Sequence, residues 1–310
     1  MRSVIIGTGS YLPQRVMTNA DWAEHVETSD EWIRARTGIT QRHIASNDES
    51  TTTLAIAAAE AALTNAGVSG ADIDAIIVAT STPERAMPST ACLVQQAIGN
   101  AGAFALDITA ACSGFVYGLQ LADQQIQSGA AKRVLLIGAE TMSRIIDWTD
   151  RSTCILFGDG AGAVILEAQE KDARGIIATQ LFSDGTYADI LKTEDQKLQM
   201  EGQEVFRHGV EKMAQVTLGM LEKAGVSLDA VDWLIPHQAN LRIISSIAKK
   251  LKLSQDKAIV TLDHHANTSA ASIPLALDEA ARDGRLVHGN LCAMPALGAG
   301  LTWGCCLLQW

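Results

Sequence analysis

Two segments about half a chain length apart carry the same pattern, and this repeat constrains the fold more than any other feature. Residues 63–77 and residues 221–235 both contain the tetrapeptide Ala-Gly-Val-Ser, and they start 158 positions apart in a chain of 310 residues. In each copy a helical pattern ends at Ala-Gly, a turn follows, and an apolar strand begins after an aspartate. Helix–glycine–strand junctions occur in any α/β protein, but the shared core and the half-length offset favour an internal duplication.

The duplication predicts two halves that pack as one body. A chain of 310 residues exceeds the usual size of a single hydrophobic core. No low-complexity or linker-like segment separates the two copies, and the polar stretch at 167–175 is the predicted seam. We therefore expect an N-terminal half at 1–168 and a C-terminal half at 169–310.

Apolar strands and amphipathic helices alternate along the chain. Strands are predicted at 75–79, 104–108, 133–137, 163–166, 233–235 and 301–308. Helices are predicted at 54–65, 114–128, 204–223, 241–251 and 270–282. This alternation is typical of an α/β fold, and we expect largely parallel sheets with helices on their faces.

Bulk composition fits a packed globular enzyme and argues against several other classes. Apolar residues make up 47% of the chain and charged residues 19%, which is typical of a folded protein. The net charge of −11 argues against a general nucleic-acid binder. The six cysteines include no Cys-x-x-Cys pair, so we expect reduced thiols and a cytoplasmic location. The N-terminal residues lack the apolar core of a signal peptide, and no run approaches the length of a membrane span.

Two glycine-rich runs lack the context of a nucleotide-binding loop. Gly7-Thr-Gly9 has neither the third glycine nor the acidic partner of a dinucleotide fingerprint. The run at 158–162 precedes a strand, whereas the fingerprint requires a helix there. We predict tight turns and close backbone packing at both runs, with a short N-terminal strand that ends at the first.

Cys112 is the first candidate catalytic residue because of its surroundings. A short apolar strand ends before it, small residues flank it, and an amphipathic helix opens at Gly114. A thiol at a helix N-terminus faces unpaired N–H groups and the positive end of the helix dipole, which favour the reactive thiolate. A buried structural cysteine is the alternative, and the segment alone leaves it open.

Two polar residues of the second half are candidates to act with this thiol. His237 directly follows an apolar strand, and ligands bind at the carboxyl ends of strands in doubly wound sheets. A histidine there can exchange a proton near neutral pH, although a structural histidine bonded to the backbone fits the segment equally well. Asn267 lies in a polar turn that leads into a helix, where a plain cap or an Asx turn is the alternative.

Taken together, three motifs resemble the β-ketoacyl-acyl carrier protein synthase III family of the thiolase superfamily. They are Thr-Ala-Ala-Cys-Ser-Gly at 109–114, Pro-His-Gln-Ala-Asn at 236–240 and Asn-Thr-Ser-Ala-Ala-Ser at 267–272. The resemblance runs from Gly7 to Gly304 and implies a five-layered αβαβα sandwich of two duplicated halves. Elongating synthases resemble Cys-His-His, thiolases carry a second catalytic cysteine, and chalcone-type synthases are longer, so the initiating synthase is favoured.

The resemblance implies a decarboxylating condensation that starts fatty-acid synthesis. Cys112 would attack an acyl-CoA thioester, acetyl-CoA by default, with the backbone N–H groups of Cys112 and Ala299 as the oxyanion hole. Malonyl-acyl carrier protein would then lose carbon dioxide, while His237 and Asn267 hydrogen-bond the thioester oxygen of the enolate. The enolate carbon would attack the acyl group and give a 3-oxoacyl-acyl carrier protein. This chemistry needs no metal and no redox cofactor.

The resemblance also implies residues that bind substrates and partners. The CoA-binding set is Trp32, Arg36, Thr37, Arg151, Phe206 and Asn240. The carrier-protein set is Arg207, Gln238, Ala239, Asn240, Leu241, Arg242, Lys249 and Lys250, with Lys252 beside it. A basic patch on an acidic chain would steer an acidic carrier protein, with Arg242 as the central contact, although a solvated helix face is the ordinary alternative. A homodimer is expected, with Met87 and Leu297 in the acyl pocket.

Three residues depart from the family pattern. Ala299 replaces a glycine of the final Gly-rich turn, and it is tolerated only if its φ angle is not positive. Ala266 replaces the glycine that usually precedes the catalytic asparagine. Met87 is flexible, so a branched or longer primer is an alternative to acetyl-CoA. Two other functions stay open, an acyltransferase or condensing enzyme of secondary metabolism with the same Cys-His-Asn site and a non-catalytic binder of acyl-CoA or carrier protein.

Overall fold

The computed structural model describes residues 1–170 and 173–310. Its strands are β1 (Arg2–Tyr11), β2 (Val16–Thr18), β3 (Gln41–His43), β4 (Ala75–Ala79), β5 (Phe104–Ile108), β6 (Arg133–Thr141), β7 (Asp159–Gln169), β8 (Gly175–Ser183), β9 (Leu191–Glu194), β10 (Lys197–Met200), β11 (Trp233–Leu234), β12 (Leu291–Gly298) and β13 (Thr302–Gln309). Its helices are α1 (Asn19–Ala23), α2 (Asp30–Thr37), α3 (Thr51–Ala66), α4 (Thr90–Ala97), α5 (Gly114–Gln127), α6 (Gly202–Ala224), α7 (Leu241–Leu251), α8 (Leu262–His265) and α9 (Ser272–Arg282). None of the helices in these two ranges is long and apolar enough to cross a membrane.

Both copies of the sequence repeat form the same local structure. α3 ends at Gly67 and α6 ends at Gly225, and these glycines have left-handed φ angles of +67° and +66°. A 3-10 turn and an apolar strand follow each helix, β4 in the first copy and β11 in the second. Glycine ends a helix in this way because it has no Cβ to oppose a positive φ. The predicted seam at 167–175 includes Lys171 and Asp172, which lie outside the described residues.

The first sheet has the strand order β1-β7-β6-β4-β5 and is covered on both faces. β4 and β6 are almost completely buried, as expected for strands made of continuous apolar runs. α3 packs across β1, β7 and β6 on the outer face, and α4 packs beside it against β5. The inner face is covered by α5 and α9.

The second sheet has the strand order β11-β12-β13-β8, and it faces the first across two shared helices. α6 packs on the outer face of β12, β13 and β8, and α7 packs against α6. α5 contacts the inner faces of both sheets, and one buried apolar cluster combines side chains of both sheets with those of α5 and α9. The layers are therefore α3/α4, first sheet, α5/α9, second sheet and α6/α7.

The prediction of largely parallel sheets is wrong. In the first sheet β4 is parallel to β5 and β6, but β7 is antiparallel to β6 and to β1. In the second sheet β11 and β12 are parallel, whereas β13 is antiparallel to β12 and to β8. No α-helix lies between β6 and β7 or between β12 and β13. Without a crossover helix the chain returns directly, and the consecutive strands pair antiparallel.

The N-terminal strand also differs from its prediction. β1 continues through Gly7 and Gly9 to Tyr11, so the predicted turn is wrong. A Cβ added at Gly9 would lie 2.3 Å from the backbone nitrogen of Ala62 in α3. The predicted close packing is confirmed, because glycine is the residue that lets a strand and a helix backbone touch. Gly162 likewise lies inside β7, where α9 approaches.

Candidate active site

A cavity of about 1110 Å³ opens where strands of both sheets end. Cys112, His237 and Asn267 all line this cavity, so the fold brings together three residues that are far apart in the chain. Also lining it are all six residues of the predicted CoA-binding set, Trp32, Arg36, Thr37, Arg151, Phe206 and Asn240. Leu297 and Ala299 complete the predicted residues near the thiol.

Cys112 lies in a 3-10 turn between β5 and α5, where the sequence predicts a strand-to-helix turn. Ala111 has a φ of +45°, an uncommon conformation for alanine, directly before the thiol. Gly298, at the end of β12, packs on this turn, since a Cβ added there would lie 2.6 Å from the Cys112 backbone nitrogen. The Ser113 and Thr302 hydroxyls are hydrogen-bonded at 2.8 Å. The turn that holds the thiol is therefore fixed to the second sheet.

Burial is the largest influence on the ionisation of Cys112. Only 9% of this residue is exposed, and burial raises the pKa of its thiol to about 12. A hydrogen bond from Ser269 lowers that pKa in part, and the charge of Glu140 raises it. A backbone hydrogen bond at the same turn also lowers the pKa in part, the direction expected of a helix N-terminus. Because the thiol is protonated, its attack has to be coupled to loss of the proton.

His237 continues the direction of β11 and is neutral. Its backbone N–H donates to the Pro295 carbonyl at 2.9 Å, which extends the pairing with β12. Burial lowers the pKa of its imidazole to about 3, so the predicted proton exchange near neutral pH is wrong. Ring Nδ1 lies 2.7 Å from the Ser272 hydroxyl oxygen, and that oxygen accepts the Gln238 backbone N–H at 3.3 Å. The Ser272 proton is thus free to donate to Nδ1, which leaves a proton on Nε2.

Asn267 is held by backbone pairing with the segment before β7. Its backbone N–H donates to the Leu156 carbonyl at 2.9 Å, and its carbonyl accepts the Gly158 N–H at 3.1 Å. Its side-chain Oδ1 accepts the Ser269 backbone N–H at 2.9 Å. The Asx turn offered as an alternative is therefore present. It orients the side chain so that the amide NH₂ is the group left to donate.

Strained backbone lies beside these residues. Ala266, directly before Asn267, has φ +59° and ψ −164°, a region that essentially only glycine enters. Ser269 also has a positive φ, +51°. Ala299 is not among the residues with positive φ, so its Cβ is tolerated as the sequence argument required. Such strain is common at active sites, where the surrounding structure enforces a sparsely populated conformation.

Two residues near the thiol escaped prediction from the sequence. Glu140 lies at the end of β6 and is fully buried. The Ser269 hydroxyl donates to its carboxylate at 3.0 Å, and Ser269 lines the cavity. A signal for Glu140 was available, since it is an acid near the carboxyl end of an otherwise apolar strand.

The residues predicted to bind CoA contact one another at the cavity. The guanidinium carbons of Arg36 and Arg151 lie 4.5 Å and 4.8 Å from the centroid of the Trp32 ring. Asn240 accepts the Arg242 backbone N–H as the N-cap of α7, and its side-chain amide donates to the Arg36 carbonyl at 3.1 Å. An aromatic ring beside two guanidinium groups suits a ligand that combines a planar base with phosphates.

Gln238 does not belong to the predicted carrier-protein surface. Its side chain is 1% exposed, and its amide donates to the carbonyls of Pro236 and Ile259. Its side-chain oxygen accepts the Thr261 backbone N–H at 3.0 Å. The assignment is wrong because a buried amide with these internal partners cannot face a docking protein; instead Gln238 fixes the segment that carries His237.

Of the remaining residues of the predicted carrier-protein set, Ala239, Asn240 and Arg242 line the cavity, whereas Lys249 lines a separate surface pocket. Arg207 and Lys250 each form an ion pair with a glutamate of α6. In the ranges that the structure describes, Arg242 and Lys249 form no ion pair, and Arg242 lines the cavity. The other exposed or partly exposed members are Ala239, Asn240 and Leu241, with Lys252 beside them.

The two residues predicted for the acyl pocket are placed differently. Leu297, on β12, is 5% exposed and lines the cavity. Met87 is 80% exposed and is not among the residues that line the cavity in the single chain. Only Leu297 is therefore next to the thiol within one copy of the chain.

One cluster of potential metal ligands lies outside the cavity. The ligand atoms of His264, His265 and Glu279 lie within 4.8 Å of one another. His264 is 2.9 Å from the Asp263 carboxylate and 2.7 Å from that of Glu279, and these contacts raise the pKa of its imidazole to about 9. With a protonated His264 imidazole, the contacts to Asp263 and Glu279 are ion pairs.

Comparisons with known proteins agree with this geometry. The sequence model of 3-oxoacyl-[acyl-carrier-protein (ACP)] synthase III matches residues 106–185, and that of its C-terminal part matches residues 221–310. A β-ketoacyl-[acyl-carrier-protein] synthase III of Paracoccus denitrificans (strain Pd 1222) is 53% identical, with 100% of this chain and 99% of the relative covered. The chain belongs to the 3-oxoacyl-[acyl-carrier-protein] synthase III family.

Solved structures confirm the fold of this synthase III family member. The crystal structure of 3-oxoacyl-[acyl-carrier-protein] synthase III from Aquifex aeolicus VF5 has a TM-score of 0.97 and 49% identity, covering 99% of this chain and 100% of that one. The priming β-ketosynthase of the R1128 polyketide pathway has a TM-score of 0.94 and 34% identity, covering 99% and 96%. The thiolase-type sandwich is therefore confirmed. As a synthase III, the chain is a condensing acyltransferase that carries out the initiating condensation of fatty-acid synthesis.

Proposed function

We propose that Cys112 is the nucleophile that takes the acyl group of an acyl-CoA primer, acetyl-CoA by default, in a thioester exchange. The observation that carries this assignment is that Cys112, His237 and Asn267 line one cavity. Cys112 is the only cysteine that lines it among the described residues. The carbonyl oxygen of the primer would accept the backbone N–H groups of Cys112 and Ala299, which the close approach of Gly298 to the thiol turn brings near each other.

The second half-reaction would use His237 and Asn267 as neutral donors. Malonyl-acyl carrier protein loses carbon dioxide, and the negative charge that develops on its thioester oxygen accepts hydrogen bonds from the His237 Nε2–H and the Asn267 NH₂. A ring with a pKa lowered to about 3 suits this role, since it donates without becoming charged. The carbanion then attacks the acyl group and releases a 3-oxoacyl-acyl carrier protein. Carbon dioxide loss generates the carbanion, so no metal or redox cofactor is required.

The cavity mouth supports the assignment of the CoA site. Trp32 with its two flanking guanidinium groups would hold the adenine and the phosphates, and Thr37, Phe206 and Asn240 would line the path of the pantetheine arm. Arg242 lies on the same mouth and has no ion-pair partner in the described part of the chain. We propose it as the central contact of the acyl carrier protein, with Arg207, Lys249 and Lys250 around it.

We further propose that the enzyme is a cytoplasmic homodimer of chains with halves at 1–168 and 169–310. β5 is the edge strand of the first sheet, and Phe104 on it is 42% exposed. An open edge with an exposed aromatic side chain favours pairing with a second copy. Met87, 80% exposed, would then reach the acyl pocket of the partner. The six free cysteines fit a reducing compartment.

The decisive experiment follows the acyl group. The protein is incubated with acetyl-CoA, the modified residue is located by mass spectrometry, and malonyl-acyl carrier protein is added. We expect acetyl-Cys112, then a 3-oxoacyl product, and neither from Cys112→Ala, with Cys92→Ala as the matched control that keeps both. Acylation without carbon–carbon bond formation would instead identify an acyltransferase of secondary metabolism, and absence of acylation would identify a binder.

The likeness to a priming β-ketosynthase makes the choice of carrier protein a useful second measurement. Offering malonyl groups on a fatty-acid carrier and on a polyketide carrier distinguishes the two pathways by their kcat/KM values. A higher value with the polyketide carrier would move the enzyme to secondary metabolism while leaving the chemistry at Cys112 unchanged.

A further inference from the structure

Arg42, on β3, is a fully buried arginine for which the condensation described above has no use. It is 0% exposed, and burial lowers the pKa of its guanidinium to about 10, so the group is charged at neutral pH. In the ranges that the structure describes it forms no ion pair, and its acceptors are neutral, two backbone carbonyls and one amide oxygen. A buried charge without a counter-ion costs folding free energy that an apolar side chain would not cost. The contribution of Arg42 therefore lies in the groups that it holds.

The Arg42 guanidinium ties a rigid anchor to the wall of the cavity. Nη1 donates to Asn19 Oδ1 at 2.8 Å, and Nη2 donates to the Ile155 carbonyl at 2.8 Å. Asn19 is fixed independently, since its amide donates to the Asp30 carboxylate and to the Ile39 carbonyl at 2.8 Å each. Ile155 lines the cavity. The arginine thus transmits the position of a fixed side chain to the cavity wall.

Ile155 begins the segment that pairs with Asn267. The Leu156 carbonyl accepts the Asn267 backbone N–H at 2.9 Å, and the Gly158 N–H donates to the Asn267 carbonyl at 3.1 Å. Both Ile155 and Leu156 line the cavity. The segment therefore determines where the Asn267 backbone lies, and Arg42 holds the first carbonyl of that segment.

The stem of Arg42 also packs where the chain approaches Asn267 from the other side. A Cβ added at Gly158 would lie 3.1 Å from the Arg42 Cβ, 2.8 Å from the His265 carbonyl oxygen and 3.4 Å from the Ala266 Cβ. Arginine, paired segment and strained backbone thus meet at one glycine. Because the conformation of Ala266 persists only where its surroundings enforce it, a rigid neighbour is needed there.

We propose that Arg42 is a positioning residue for Asn267 in the decarboxylating condensation, an inference that rests on the function proposed above. Arg42 fixes the Ile155 carbonyl, the segment that follows fixes the Asn267 backbone, and the Ser269 N–H fixes Asn267 Oδ1 at 2.9 Å. The remaining NH₂ group is then aimed at the thioester oxygen on which charge develops. A donor to such an oxygen acts only if it is held in place before the charge appears.

The thiol has separate support, so this role should be confined to the second half-reaction. The turn that carries Cys112 is fixed to the second sheet by the hydrogen bond of Ser113 with Thr302 at 2.8 Å. None of the hydrogen bonds of Arg42 reaches that turn, and Asn19 keeps its other two partners when Arg42 is replaced. Loss of the guanidinium should therefore spare acylation and slow condensation.

The test measures the two half-reactions separately, each in single turnover. One is acylation of Cys112 by acetyl-CoA, and the other is release of carbon dioxide and 3-oxoacyl product when acetylated enzyme meets malonyl-acyl carrier protein. Arg42→Met should acylate within about twofold of wild type and condense about 10- to 100-fold more slowly. Arg2→Met is the matched control, because Arg2 also donates to a backbone carbonyl, that of Ile176 at 3.0 Å, and does not line the cavity. It should leave both rates unchanged.

A double-mutant cycle shows whether Arg42 acts through Asn267. Asn267→Ala should slow condensation about 100- to 1000-fold, the effect of losing a donor to the developing charge. Adding Arg42→Met to Asn267→Ala should slow it by no more than about a further twofold, because the group that Arg42 positions is already gone. A general structural role would instead multiply the two losses.

The outcomes separate this inference from the proposed function. Normal condensation by Asn267→Ala would remove the proposed role of Asn267 and this inference with it. If Asn267→Ala is slow, three results overturn the positioning role alone: normal condensation by Arg42→Met, an equal loss in acylation and condensation, or losses that multiply in the double mutant. If circular dichroism shows that Arg42→Met does not fold, Arg42→Lys takes its place under the same criteria, since lysine keeps the charge but lacks the planar fork that holds both acceptors.

Discussion

Replacing Ala266 by glycine tests how strongly the fold constrains the backbone next to Asn267. Ala266 has φ +59° and ψ −164°, and its side chain is fully buried. Glycine would relieve the strain, but it would also add freedom to the unfolded chain and remove a buried methyl group. The net effect therefore depends on whether the strain is large enough to offset both losses.

The magnitudes follow from the conformation and the burial. Alanine in this region costs about 1–3 kcal/mol. Against this, the added freedom of the unfolded chain costs about 0.4–1 kcal/mol, and the lost methyl burial costs about 0.8 kcal/mol. We expect Ala266→Gly to change the free energy of unfolding by between a loss of about 0.8 kcal/mol and a gain of about 1.8 kcal/mol. At Ala276, which is fully buried in α9, the same change relieves no strain and should cost about 1.5 kcal/mol or more.

Denaturant unfolding of the wild type and the two variants, monitored by circular dichroism, measures these differences. Thermal melts provide a second measurement, in which 1 kcal/mol corresponds to about 2–4 °C or less for a chain of this size. If Ala266→Gly destabilises the protein as much as Ala276→Gly does, the strain at position 266 is not significant. The reasoning about the backbone beside Asn267 would then be refuted.

Three further predictions concern the thiol turn, an ion pair and the docking surface. Gly298→Ala should block acyl-enzyme formation and lower stability by about 1–3 kcal/mol, because the new Cβ would press on the Cys112 backbone nitrogen; unchanged acylation by mass spectrometry contradicts this. The pKa of His264 is raised to about 9, so the stability it contributes is complete below the unfolded pKa of about 6.5 and is lost as pH rises through about 9. Denaturant unfolding should show that the free energy of unfolding is about 1 kcal/mol lower at about pH 10 than at about pH 6, a difference kept small by solvent screening. The difference should be absent from His264→Gln, and an equal difference in that variant contradicts the prediction. Arg242→Glu should raise the KM for malonyl-acyl carrier protein about tenfold and weaken its salt dependence. Lys223→Glu, the same charge change at the far end of α6, should leave both unchanged, and equal effects of the two variants contradict the docking assignment.

The sequence was most informative where a local pattern has one physical solution. The predicted bounds of β4, β5 and α7 are those of the structure, because each is an unbroken apolar or amphipathic run between clear turn residues. The repeat was also reliable, since a glycine in the left-handed region ends both α3 and α6. Strand direction was not predictable in this way, because it depends on whether a helix crosses between two strands rather than on the strands themselves.

At the candidate site too, the sequence predicted which residues are present but not the environment that each one has in the fold. The identities of Cys112, His237 and Asn267 could be predicted, because their motifs are short and specific in combination. Their protonation states could not, since the pKa of about 12 at Cys112 and of about 3 at His237 come from burial. For the same reason Gln238 was assigned to a surface, although its side chain is enclosed by three backbone partners.

By itself, then, the sequence determined the class of fold, the duplicated architecture, the family and the three side chains expected at its reactive centre. The tertiary structure alone decided which groups surround them. Glu140 and Ser269 are 129 positions apart, and only the packing of two chain segments brings the Ser269 hydroxyl within 3.0 Å of the Glu140 carboxylate at the cavity that Cys112 also lines. Proton affinity depends on this three-dimensional environment of donors, charges and excluded water, which the order of residues along a chain does not express.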